Sequence, residues 1–123
     1  MRPMSKKNAA NNRNAKGGRD AFREQFHVCQ CCCRATGTDI HEIARGAARS
    51  AAIHRRESWL LVCRQCHDDL DDASQWPVER QLAAKLLADP DYFDPPVVNR
   101  LRGRAEDAIT LADIVPHLEL LRS

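Results

Sequence analysis

Two cysteine pairs carry the most pointed chemistry in this chain. Cys29 with Cys32 and Cys63 with Cys66 each read C-x2-C, and the second pair begins 31 residues beyond the end of the first. A backbone that turns tightly between two thiols presents both to one ion. Two such turns supply four thiolates, the closed tetrahedral set of a structural zinc site. Cys31 and Cys33 leave other pairings within CQCCC open, but Cys29 with Cys32 repeats the spacing of the second pair. That second pair runs straight into a histidine, LVCRQCHDD over 61–69. C-x-x-C-H also marks c-type haem attachment, which follows export. MRPMSKKNAANNRNAKGG at the start has no apolar core of a signal peptide. The thiols are therefore expected in a reducing, cytoplasmic setting, where such pairs hold metal rather than form disulfides.

The rest of the composition agrees with a staple. In 123 residues, 43% are hydrophobic but only 5% aromatic, so the core is expected to be thin and mostly aliphatic. Small cores of that kind need a disulfide or a metal to hold them. The net charge of +2 conceals an asymmetry. Residues 1–28 carry seven Lys/Arg against two acids, 29–67 carry six against three, and 68–123 carry six against twelve. A basic front half is the sequence footprint of a polyanion-binding face. No run approaches the 18 apolar residues of a membrane span.

The elements that must position these residues follow from pattern. RDAFREQF, 19–26, spaces Phe22 and Phe26 one helical turn apart. TDIHEI, 38–43, and SWLLVC, 58–63, read as strands joined by the basic, Ala-rich 44–58. A helix is expected from 64 to 74, with its four aspartates, Asp68, Asp69, Asp71 and Asp72, suiting the dipole at its beginning. Pro77 suits the first turn of a helix over 78–88. DPDYFDPP breaks the chain, PVVNRLR makes a short helix before Gly103, and Thr110 with Asp113 opens a last helix that Pro116 bends or shortens. The fold class predicted is α+β: a disordered basic arm over 1–18, a zinc-binding domain over 19–74 and a helical extension over 75–123.

From Cys29 to Leu70, about a third of the chain, the order C-x2-C, D-I-H-E-I, basic loop, L-L-V-C-x2-C-H resembles the HNH endonuclease superfamily in its zinc-knuckle branch. The resemblance implies a ββα-metal finger, two strands and a helix clamping a divalent ion beside a scissile phosphate. It implies His67 as the helix histidine on the catalytic ion, His41 as the metal-binding residue of the strand, and Glu42 at the general-base position usually held by histidine. Asp39, two residues along the same strand face, would add an oxygen ligand. The family's central asparagine belongs just before LLVC, where Ser58 and Trp59 stand instead.

The function so implied is metal-dependent cleavage of DNA, with structural Zn2+ at the four cysteines and Mg2+, Mn2+ or another divalent ion at the histidines. Arg45, Arg49, His54, Arg55 and Arg56 would meet backbone phosphates, which give affinity but little sequence information. Two other classes stay open. One is a non-catalytic zinc module that binds nucleic acid. The other is a zinc-stabilised interaction protein that uses the acidic half.

Overall fold

Strand β1 (Asp39–Glu42) pairs antiparallel with β2 (Trp59–Val62), placing Asp39 opposite Val62 and Glu42 opposite Trp59. The computed structural model describes residues 17–45 and 53–122. Both faces of this two-stranded sheet are covered, which is why WLLV reads as an unbroken apolar run rather than an alternating one. Ile40, Trp59 and Leu61 pack with Phe22 on one side. Leu60 and Val62 join the main core on the other. The fold is α+β, a small antiparallel sheet set among helices.

Helix α1, described over 17–25, supplies Phe22, whose ring meets Phe26 and Trp59 edge-on at 5.3 and 5.6 Å. The arm predicted over 1–18 lies outside the described residues except for Gly17 and Gly18, which are helical. Gly18 sits against the Trp59 ring, where a Cβ would make ordinary contact at 3.6 Å. Tertiary packing extends α1 over residues that local composition marks as irregular.

Helix α2 (Arg64–Asp69) starts directly from Cys63, whose Sγ accepts the Cys66 N–H as its cap. It ends five residues earlier than the predicted boundary at 74. Asp68 and Asp69 occupy its last turn, and tighter turns follow through Asp71 and Asp72. Carboxylates at a helix C-terminus oppose the dipole, so the acidic run stops the helix instead of starting it.

Helix α3 (Val78–Ala88) packs on β2 and, more extensively, on α5 (Leu111–Arg122). Between them, α4 (Pro95–Leu101) is capped by Asp94, which accepts the Val97 N–H at 3.3 Å. At the start of α5 the Asp113 carboxylate accepts both the Thr110 N–H at 2.9 Å and the Thr110 hydroxyl at 3.2 Å. Helix α5 passes through Pro116 without interruption. The proline removes one backbone bond and crowds the carbonyl a turn earlier, costing about 3 kcal/mol. Burial of Ile114 and the packing along α3 offset that loss.

One hydrophobic core joins Cys29, Ile43, Leu60, Val62, Cys66 and Leu70 to Leu82, Val98, Ile109 and Ile114. The helices of the C-terminal half therefore pack onto the strands as part of the same core. No helix among the described residues is long and apolar enough to cross a membrane.

Candidate functional site

The Sγ atoms of Cys29, Cys32, Cys63 and Cys66 all lie within 4.8 Å of one another, an arrangement that could hold a metal ion. Two similar turns aim them. In each, the N–H three residues on points at the first sulfur, Cys32 to Cys29 and Cys66 to Cys63, both at 3.5 Å. The next N–H closes the turn on the first carbonyl, Cys33 to Cys29 at 3.0 Å and His67 to Cys63 at 2.9 Å. The first turn is pinned by the Val28–Thr36 bridge and by Gly37, which passes so close to Leu61 that a Cβ would stand 2.5 Å from its Cγ. The backbone N–H of Arg34 draws the Cys32 thiol down to about 7, whereas burial pushes Cys66 up. Amide donors aimed at sulfur favour thiolate, and a buried thiol ionises only when a cation compensates it. Cys31 and Cys33, the rival members of CQCCC, stay outside the group. Cys31 is packed against the core, and Cys33 is exposed with a left-handed φ of 58°.

On the other side of Cys66 the chain presents His67. Its Nδ1 donates to Asp39 Oδ2 at 3.0 Å, so in the neutral ring Nε2 carries the lone pair. The His67 and His41 rings meet edge-on, centroids 5.6 Å apart. His41 is 1% exposed, and burial pushes it down to about 4, so it is neutral at pH 7. Its tautomer follows from its neighbour. Gln81 donates its amide nitrogen to the Trp76 carbonyl at 2.9 Å, which turns Oε1 towards His41 Nε2 at 2.8 Å. The Nε2 position must then bear the hydrogen. Nδ1 is left as a buried lone pair with no hydrogen-bond partner among the described residues.

The remaining predicted site residues divide by strand face. Asp39 shares the face of His41, but its Oδ2 accepts from both His67 and Arg64, and Oδ1 accepts from Thr38, so the carboxylate orients His67. The His67 bond, the first cause, holds Asp39 below the usual carboxylate range. Glu42 is one residue on from His41 and points to the opposite face, where Arg19 of α1 donates to it at 2.8 Å. The structure does not bring Glu42 together with the two histidines.

The predicted phosphate contacts also separate. Arg45 pairs with Asp71, and Arg55 pairs with Glu57 at 3.2 Å. His54 lies exposed in the turn before the 3-10 segment Arg56–Ser58, and Arg49 lies outside the described residues. Arg56 faces inward: it grips Asp89 with two bonds of 3.0 and 3.1 Å and stacks on Tyr92 at 4.1 Å. Lys85 completes that network from within the core, donating to Asp89 at 2.7 Å and to the Trp59 carbonyl at 2.8 Å.

Two hydrogen-bonding roles at the site escaped the sequence reading. Ser58 is fully buried; its Oγ accepts the Ala44 N–H at 2.9 Å while its carbonyl accepts Ile43, tying the exit of β1 to the entry of β2. Gln81 supplies the other. Val78, Gln81, Leu82 and Lys85 share one helical face, so two polar residues at core-facing positions were the available signal. No protein-family model, curated protein or solved structure matches this chain.

Proposed function

We propose that the chain is a zinc-stapled, metal-dependent nuclease of HNH type that hydrolyses phosphodiester bonds in DNA. The carrying observation is His41: a neutral, buried imidazole whose Nδ1 lone pair has no partner among the described residues, held in that tautomer by Gln81 and set beside His67. A bare buried nitrogen is costly unless something occupies it. The order β1, β2, α2 with one histidine on strand and one on helix supports a ββα-metal arrangement. His41 Nδ1 and His67 Nε2 would hold the divalent ion, while Gln81 and Asp39 fix the two rings from behind, the usual division of labour around metal-bound histidine. The bound ion would supply positive charge to a scissile phosphate and its leaving oxygen.

At the four cysteines, tetrahedral zinc with Zn–S near 2.3 Å requires sulfurs about 3.8 Å apart. That requirement lies within the observed 4.8 Å limit. Ser58 fills the place of the family's asparagine with a shorter hydrogen-bonding side chain that still ties the loop to the strand. Glu42 serves as base only after Arg19 releases it, because a carboxylate held by a guanidinium accepts a proton poorly. This ion pair is the specific observation that favours the second reading, a zinc module that binds nucleic acid without cutting it.

Plasmid nicking with Mg2+, Mn2+ or Ni2+ distinguishes the two. His67→Ala is expected to abolish nicking while leaving the thiol-bound zinc and the fold intact. Glu42→Gln is expected to slow it by about 10²–10⁴-fold, the range for loss of a general base. Wild-type protein that binds DNA and nicks with none of these ions would establish the non-catalytic reading instead.

A further inference from the structure

The recess next to Gln81 has a chemistry that neither the thiol group nor the histidine pair uses. It encloses about 300 Å³ and is lined by Arg45, Arg102 and Arg104, with Asp71, Trp76 and Gln81 among the other wall residues. Three guanidiniums thus meet one carboxylate, and Asp71 is engaged by Arg45 at the exposed rim. Arg102 and Arg104 have no ion pair or side-chain hydrogen bond among the described residues. The acid closest in sequence, Glu106, is taken by Arg100 at 3.4 Å.

The convergence of these two arginines is built into the backbone. Gly103, with φ 73°, ends α4 in the left-handed conformation. The Arg104 N–H returns to the Asn99 carbonyl and the Gly103 N–H to Arg100, both at 2.9 Å, the paired bonds of a Schellman turn. The residues flanking Gly103 are thereby folded back onto one recess. Ile43 and Leu70 supply an apolar part of its wall. Charge at the edge of such a wall is less screened than on open surface.

We propose that this recess seats a phosphate group of a nucleic-acid strand. Guanidinium forks match phosphate oxygens in planar pairs, and two of the three here are uncommitted. The volume lies at the bottom of the roughly 300–1,000 Å³ range of ligand pockets, enough for a phosphate with its sugar and little more. The excess of positive charge stands out locally, since residues 68–123 carry six basic against twelve acidic side chains. The assignment to a strand rests on the phosphodiesterase reading above; the anion site itself does not. Gln81 lines the recess and also holds His41, so a strand phosphate bound here shares one side chain with the histidine pair. It would anchor the strand alongside the bond to be cut.

The test is an NMR titration of full-length, zinc-loaded protein with inorganic phosphate and, separately, with a short single-stranded oligonucleotide. Arginine Nε–H and tryptophan indole signals are followed; Trp59 is buried, which leaves Trp76 as the reporter in the recess. Both probes are expected to move Arg102, Arg104 and Trp76, the oligonucleotide at lower concentration. In the double variant Arg102→Ala with Arg104→Ala, oligonucleotide affinity is expected to fall about tenfold or more, and the slope of log K against log salt to drop by about 1.4, near 0.7 per lost contact on a single strand. Neither side chain has an ion pair or side-chain hydrogen bond among the described residues, so the fold of the variant should match wild type. Unmoved arginine signals with both probes, or an unchanged slope in the variant, would overturn the site. Response to phosphate but not to the oligonucleotide would overturn its assignment to a strand. Nicking is scored separately: loss of the nuclease reading with these shifts intact leaves the anion site standing, and the reverse removes it alone.

Discussion

A histidine surrounded by apolar groups ordinarily keeps both ring nitrogens satisfied, because an unpaired polar atom in a core costs about 1–3 kcal/mol. His41 departs from that rule at Nδ1, and Gln81 is the reason the departure takes this form. Gln81→Met preserves length and volume but removes the acceptor that fixes the tautomer. Affinity for a second ion is then expected to fall about 10–100-fold, the usual loss when the group behind a histidine ligand is removed. Calorimetry with Mn2+ on zinc-loaded protein measures it, with thiol-bound metal unchanged as the control; equal Mn2+ affinity would leave Gln81 a packing residue. A second expectation concerns Cys33, whose φ of 58° is unfavourable for a residue with a Cβ by about 1–2 kcal/mol. Glycine loses about 0.5–1 kcal/mol more entropy on folding, so Cys33→Gly should stabilise by roughly 0.5–1 kcal/mol. Denaturant midpoints at unchanged slope report it, and a lower midpoint would mean that the Cys33 side chain does more than fill the turn. The four grouped thiols were legible in the sequence because C-x2-C is a local spacing. Gln81 was not, since its partner lies 40 residues away and nothing in VERQLAAKLLA alone names it.

Among the elements, the strands and α3 were readable because apolar period and proline placement are local signals. The end of α2 and the path of α5 through Pro116 were not, because charge near a helix terminus and packing on α3 decided them. The inward network of Arg56, Lys85 and Asp89 was equally hidden. Arg56 was expected at the nucleic-acid face, and only the fold shows Asp89 beneath it. Burial pushes Lys85 down from the usual 10.5 to about 8. Between those values the unfolded chain binds the proton that the folded chain has released, so the lysine's contribution to stability increases as pH rises from about 8 to 10.5. Relative to Lys85→Met, which cannot titrate, wild type is expected to gain roughly 3 kcal/mol at most across that window. Parallel stability curves for the two proteins would show that Lys85 does not titrate abnormally. Asp89→Asn leaves Lys85 and Arg56 facing each other without the carboxylate they both grip, and is expected to cost about 3–5 kcal/mol by chemical denaturation.

At the scale of the molecule, the thiol group and the C-terminal helices meet in one core from two sides. Cys29 and Cys66 belong both to the thiol group and to the cluster that contains Leu82, Val98, Ile109 and Ile114. Removing the ion by chelation, or one ligand by Cys66→Ser, is expected to destabilise the fold by several kcal/mol, because structural zinc binding is folding free energy of order 10 kcal/mol. The resemblance that organised the sequence reading ends at Leu70 and gives no reason to think the later helices necessary. Packing does. A chain ending at residue 76 would lose Leu82, Val98, Ile109 and Ile114, all buried in the full protein, and each such side chain contributes about 1.5–3 kcal/mol. That loss is comparable with the entire 5–15 kcal/mol stability of an ordinary domain. The truncated chain is therefore expected to bind zinc through its thiols yet lack cooperative unfolding and dispersed amide signals. A fragment that gives a sharp melting transition with zinc would instead show that the thiol centre and the two strands suffice, and that α3, α4 and α5 are an accessory layer.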